Sequence, residues 1–498
     1  MVTRISTGIA GLDSVIGGGF LKERAYMVTG GPGCGKTTLC LHFLVAEPAE
    51  KSLLVTLDKN LDKIRWMADS LGLMTDNLVL EDLSPGDVRQ ETRESFDVVP
   101  TSELGLAPLV DRICAAVDRH QPGRVAIEPL SCLSSLAPDS FQFRRQSQAL
   151  FNFLTERGAT LVFSSEDLRT MRGEKPDADL YYIADGIINL ERMNKGRMLS
   201  VTKIRGSNFM DGWHSMRLTD RGIQVFPRLV PEDGERSSGS VEISTGVQQL
   251  DAILHGGIRT ATMTIIAGPT GAGKTTLGMQ LVCAMAKSGD ATLVCTFEES
   301  GTSILERCRN VGLPVDSLLD QARLDVWTIE PLAYSPDEMG HALRKRVQEG
   351  GVKTVMIDGS SGYSVSVANL AAPDESAGGR LHALCRYLVG LGVTVILINE
   401  TPHISSENVT AADPGMTYLS DLLIMLRYIE MDSELRKTIS VIKKRAGDFE
   451  KSLHEFDITD EGLRIGPPLR GLQGILRGQP IQVSTGRGHG NRTDDKGT

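Results

Sequence analysis

Residues 268–277 read GPTGAGKTTL, and residues 30–39 read GGPGCGKTTL. Both fit the pattern G-x-x-x-x-G-K-[ST] at every required position, and the two lysines, Lys36 and Lys274, stand 274 − 36 = 238 residues apart. Glycines in such a loop let successive backbone N–H groups turn inward around a polyphosphate without obstruction from Cβ atoms. The lysine offers a mobile cation to the β and γ phosphates, and Thr37 or Thr275 places a hydroxyl for Mg²⁺ where the next helix begins. Apolar runs at 25–28 and 263–267 precede the loops, and helical patterns to about Val45 and Met285 follow, which predicts strand, loop and helix in succession. Candidate ATP contacts are therefore Gly30, Gly31, Pro32, Gly33, Cys34, Gly35, Lys36, Thr37 and Thr38 in the first copy. In the second they are Gly268, Pro269, Thr270, Gly271, Ala272, Gly273, Lys274, Thr275 and Thr276.

The duplication extends well beyond the loops. RISTGIAGLDSVIGGGF at 4–20 matches EISTGVQQLDAILHGGI at 242–258, again 242 − 4 = 238 residues on. Ser6 and Ser244 read as helix caps, and Leu12 and Leu250 as core positions. Near the end of each half VTKIRG at 201–206 matches VIKKRA at 441–446, an offset of 441 − 201 = 240. In a chain of 498 residues this repeat predicts two domains, 1–230 and 242–473, with a polar linker at 231–241 and a disordered polar tail at 474–498. Alternating apolar strands and helical patterns through both halves predict an α/β fold in which a mostly parallel sheet is flanked by helices.

A hydrophobic fraction of 41% and a charged fraction of 23% are globular values, and a net charge of −10 argues against an overall field that would attract nucleic acid. The eight cysteines include no C-x-x-C pair and suit a reducing cytoplasm, and no run of 18 apolar residues occurs, so no membrane association is expected.

Chemistry is expected where strands end. The apolar run 291–297 leads into Glu298 and Glu299, whereas the first half has Asp58 and Lys59 at the matching place. A carboxylate beside a γ-phosphate can take the proton of an attacking hydroxyl, while an acidic pair also suits an ordinary helix N-terminus. Strands at 124–127 and 354–357 end in Glu128 and Asp358, placed to hold a Mg²⁺ shell together with Thr37 and Thr275. Lys203 and Arg205, like Lys443 and Arg445, are two residues apart on a strand and so face one side, as cations at a solvated sheet edge also would.

With the duplicated loop, the Glu298 and Glu299 pair, Asp358 and the repeated K-x-R strands, the chain resembles the KaiC family of circadian-clock proteins within the RecA-like ATPase superfamily, over about residues 4–483. The resemblance implies two tandem RecA-like domains in a double-ringed homo-hexamer, with Lys203, Arg205, Lys443 and Arg445 reaching ATP on the neighbouring subunit. It implies ATPase and serine/threonine autokinase activity, with Glu299 as base, Glu298 supporting it and Lys274 on the phosphates. The phosphoacceptors it implies are Thr417 and Tyr418, where Tyr418 departs from the usual Ser or Thr. It further implies KaiB-like or other signalling proteins as partners. Asp58, Lys59 and Glu128 depart from the family pattern in the first domain. A DNA-repair ATPase of the same core fold and a nucleotide-gated scaffold are the alternatives; the first would add a DNA-binding module and a basic groove, which this sequence does not show.

Overall fold

The computed structural model describes residues 3–58, 61–84, 105–166, 178–193, 196–231, 241–368, 376–401, 420–431, 433–470, 472–473 and 481–482. The chain divides into two compact units, Met1–Arg228 and Leu229–Thr498.

In the first unit the short strands β1 (Arg4–Ile5) and β2 (Phe20–Leu21) pair with each other ahead of the main sheet. That sheet is built from β3 (Ala25–Gly30), β4 (Ser52–Thr56), β5 (Leu78–Asp82), β6 (Arg124–Glu128), β7 (Thr160–Glu166), β8 (Gly186–Met193), β9 (Gly196–Ile204), β10 (Trp213–Thr219) and β11 (Gly222–Phe226). Its order is β11-β10-β9-β8-β3-β7-β6-β4-β5. From β8 to β5 neighbours run parallel, and β9, β10 and β11 extend the sheet as antiparallel hairpins. β3 is buried at every residue because helices cover both faces, which is why it reads as a continuous apolar run rather than an alternating one.

The second unit repeats this plan. After the pair β12 (Glu242–Ile243) and β13 (Ile258–Arg259), its sheet uses β14 (Met263–Gly268), β15 (Ala291–Thr296), β16 (Leu324–Thr328), β17 (Val352–Asp358), β18 (Thr394–Glu400), β19 (Leu422–Met431), β20 (Glu434–Lys444), β21 (His454–Thr459) and β22 (Gly462–Pro468). The order β16-β15-β17-β18-β14-β19-β20-β21-β22 mirrors that of the first sheet. In both units the strand carrying the glycine-rich loop is central, and the helix after it, Lys36–Val45 or Lys274–Ser288, packs against the sheet. These are two tandem RecA-like α/β domains.

Some expectations need correction. Ser6 and Ser244 are not helix caps: the N-cap residues Ile9 and Val247 carry no side-chain cap bond. Ser6 Oγ, Thr7 Oγ1 and Thr7 N instead donate to the Asp13 carboxylate at 2.6, 2.7 and 2.8 Å. Ser244 Oγ, Thr245 Oγ1 and Thr245 N donate to Asp251 at 2.5, 2.7 and 2.8 Å. A carboxylate inside the helix thus gathers the loop before it. β9 pairs with β10 over residues 197–200 and β20 with β21 at Thr438 and Ile439, so Lys203 and Lys443 lie on stretches of interior strands beyond the reach of that outer pairing. Leu229, expected in the first domain, packs against the apolar core of the second. Within the tail, Ile481–Gln482 pairs antiparallel with Leu472–Gln473; apart from Ile481–Gln482, residues 474–498 lie outside the described residues, as do linker residues 232–240.

Candidate nucleotide sites

Each phosphate loop ends in a glycine that N-caps the following helix in left-handed conformation, Gly35 at φ 111° and Gly273 at φ 100°. A side chain would strain the backbone there, and a Cβ on Gly273 would stand 2.7 Å from Ile458 Cδ1. The glycines thus aim the first helical N–H groups and the adjoining lysine into the loop. Lys36 Nζ donates to the Gly30 and Gly31 carbonyls at 2.8 and 3.1 Å, and Lys274 Nζ to the Pro269 carbonyl at 2.9 Å. Ala272 and Cys34 turn inward and are buried in the core, so among the candidate contacts these two side chains serve packing.

In the second unit a cavity of about 360 Å³ brings the expected residues together. Thr270, Gly271, Gly273, Lys274, Thr275 and Thr276 form one wall, and Glu298, Glu299 and Asp358 another. Asp358 ends β17 beside β15, so parallel pairing of Thr296 with Asp358 brings the strand that leads into the glutamates against the aspartate. Thr275 Oγ1 donates to Asp358 Oδ1 at 3.3 Å, and Ser361 Oγ to Glu298 Oε1 at 3.0 Å. Glu299 Oε2 accepts from Arg307 Nη2. Burial pushes the Asp358 carboxyl up to about 6 against the Thr275 bond, and Glu298 and Glu299 add to the rise. Burial lowers the Lys274 ammonium, with Glu400, Asp358 and Glu298 acting in the opposite direction. A buried carboxyl that ionises with difficulty, next to a hydroxyl and facing a lysine, is a donor set suited to a divalent cation and a polyphosphate.

The first unit differs in its walls. Thr37 Oγ1 donates to Glu128 Oε1, and Glu128 is only 1% exposed, so the longer acid still meets the loop threonine. Asp58 is exposed just beyond β4, and Lys59 lies outside the described residues. A cavity of about 730 Å³ borders Gly30, Gly31, Pro32 and Cys34 on the side of β8, β9 and β10, where Asn189, Arg192 and Trp213 line it.

Neither K-x-R pair faces the phosphate loop of its own unit. Lys203 Nζ donates to the Tyr181 and Tyr182 carbonyls at 2.8 and 3.3 Å, and Arg205 Nη2 to the Tyr182 carbonyl at 2.7 Å. Arg445 lies 3.8 Å from Asp421 and borders a separate cavity of about 270 Å³. Lys443 pairs with Leu423 across β19 and β20, and its ammonium is lowered by burial and by neighbouring Arg445. Thr417 and Tyr418 fall outside the described residues.

The family model for the KaiC ATPase matches residues 5–230 and again residues 243–470. This chain belongs to the KaiC ATPase family. It is 25% identical to the circadian clock oscillator protein KaiC of Acaryochloris marina over 504 residues, covering 97% of this chain and 92% of that one. Against KaiC of Synechococcus elongatus the identity is 26% over 496 residues, covering 97% and 93%. As a KaiC-family ATPase it binds ATP. Among the described residues no helix is long and apolar enough to cross a membrane.

Several groups at the KaiC-type sites escaped sequence reading. Glu400 ends β18 opposite Gly268, and Glu166 ends β7 opposite Gly30, so the same acid stands beside the start of both loops. Thr270 Oγ1 donates to Glu400 Oε1. Lys437 lines the second cavity, and Arg197 Nε lies 3.4 Å from the Gly33 carbonyl. Each is six residues before the K-x-R lysine, 203 − 197 = 443 − 437 = 6, and that shared spacing was the available signal. Ser361 and Arg307 had none, because each is recognisable only by the glutamate it meets.

Proposed function

We propose that this protein is an ATP-dependent serine/threonine autokinase and ATPase that works as a homo-hexamer in signalling or clock-type regulation, with Mg²⁺ as cofactor. The observation that carries the reading is that Lys274, Thr275, Asp358, Glu298 and Glu299 share one cavity in the second unit. Thr275 and Asp358 would hold Mg²⁺, with Thr37 and Glu128 in the corresponding roles in the first unit. The ion, when bound, neutralises charge on the β and γ phosphates. Lys274 and the loop amides hold the γ-phosphate in line.

In this reading the Thr417 hydroxyl oxygen bonds to the γ-phosphorus as the bond from that phosphorus to the β–γ bridging oxygen breaks and ADP departs. The hydroxyl proton passes to Glu299, a contribution of roughly 10²- to 10⁴-fold in rate; Glu298 supports that carboxylate. Lys203, Arg205, Lys443 and Arg445 complete the site on the adjoining subunit, because in their own unit they point elsewhere. Tyr418 is a second acceptor, and KaiB-like or other signalling proteins read the phosphorylated state. The first unit, with Asp58 and Lys59 in place of two glutamates, serves chiefly to bind nucleotide and hold the ring.

Incubation with ATP labelled at the γ-phosphate, followed by mass spectrometry, tests the reading. Label should appear on Thr417, and Thr417→Ala should remove most of it. Turnover without incorporation would instead support a nucleotide-gated scaffold, and turnover stimulated by DNA a repair enzyme.

A further inference from the structure

The helix Gly301–Asn310 starts at Ser300, whose side chain accepts from Ser303 N, and its last turn carries Arg307. This places Arg307 over Glu299, the residue just before the cap, and the guanidinium Nη2 donates to Glu299 Oε2. Arg307 also lines the cavity shared by Lys274 and Thr275, and its charge is felt at Asp358. A cation in the wall of a phosphate cavity has two anionic claimants, the glutamate it holds and any phosphate that enters.

The internal repeat supplies a second observation. Glu299 and Arg307 correspond, at the offset of 240, to Lys59 and Met67. Met67 is partly buried and packs against the apolar core of the first unit. Where the glutamate is replaced by a cation, the arginine is replaced by an apolar residue. Acid and arginine are therefore present together in one half and absent together from the other, as expected of two groups that act on each other.

We propose that Glu299 and Arg307 form an exchangeable pair, in which Arg307 positions Glu299 at the cavity wall and gives it up to a nucleoside triphosphate. The terminal phosphate of a triphosphate competes for the guanidinium; a diphosphate, lacking that group, leaves the pair closed. Glu299 is then free to accept a proton only when the phosphate to be transferred is present. This deepens the autokinase reading and rests on its assignment of the second cavity as the reactive site.

The test uses the full-length protein and separates binding from chemistry. Affinities for ATP and ADP are measured at the second site for wild type, Arg307→Gln, Arg307→Lys and Glu299→Gln. Arg307→Gln should lower the ratio of ATP to ADP affinity about tenfold, Glu299→Gln should raise it, and Arg307→Lys should restore much of it. In a steady-state ATPase assay Arg307→Gln should raise KM and lower kcat together, because the guanidinium that holds the terminal phosphate in both ground and transition state is lost. An unchanged ATP to ADP ratio in folded Arg307→Gln would overturn the proposal. Loss of phosphate incorporation in the wild type would overturn the autokinase reading instead, since the affinity ratio does not depend on transfer.

Discussion

Asp358 ends β17 at 7% exposure, and it is held there by a fold that makes its ionisation unfavourable. With its carboxyl raised from the ordinary 3.8 to about 6, the folded protein keeps a proton that the unfolded chain has already released in that interval. Stability without nucleotide therefore falls as pH rises from about 4 to 6 and levels off above that, by about 2–3 kcal/mol in all. Asp358→Asn removes the ionisable group, so at pH 7 thermal unfolding without nucleotide should come at a higher temperature than in the wild type. The same substitution should abolish Mg²⁺-dependent ATP binding at the second site. In the wild type that binding should weaken below about pH 6, where the carboxyl holds its proton. A lower melting temperature in Asp358→Asn would mean that the carboxylate stabilises the fold.

The two phosphate-loop helices reach the far end of their sheets differently. In the first unit His42 Nε2 accepts from Ile223 N at 2.9 Å and stands where a Cβ on Gly222 would lie only 2.0 Å away. An imidazole accepting at Nε2 must be neutral, and burial accordingly lowers its pKa below the ordinary 6.5, with the Gly8 carbonyl acting weakly in the other sense. This contribution is complete above pH 6.5 and is lost as pH falls through the lower folded value. The repeat places Gln280 at the corresponding position, 280 − 42 = 238, near Gly246 and Gly462. His42→Gln should therefore fold and should flatten the acid side of a melting-temperature profile measured from pH 5 to 8. An equally steep decline in the variant would exclude His42 as its source. Such contacts were not legible beforehand because they join residues far apart in sequence. The loops, strand ends and K-x-R strands were legible because their chemistry is local and occurs twice. The serines before the first helices show the limit: local pattern suggested caps, but Asp13 and Asp251 compete for those hydroxyls and win.

At the scale of the whole molecule, the K-x-R cations and the phosphate loops face different surroundings within each unit. On the proposed reading, in which these cations complete a neighbour's site, the molecule is a head-to-tail building block, like a link with a hook at one end and an eye at the other. Defects in hook and eye should then complement each other. Lys274→Ala spoils the eye, and Lys443→Ala with Arg445→Ala spoils the hook, so each homogeneous ring should lack phosphate transfer at the second site. In equimolar mixed rings, about a quarter of the junctions unite a sound eye with a sound hook. Subunits exchanged under ATP and Mg²⁺ should therefore recover up to about a quarter of wild-type incorporation. Were hook and eye to act within one chain, the mixture would be as inactive as its parents.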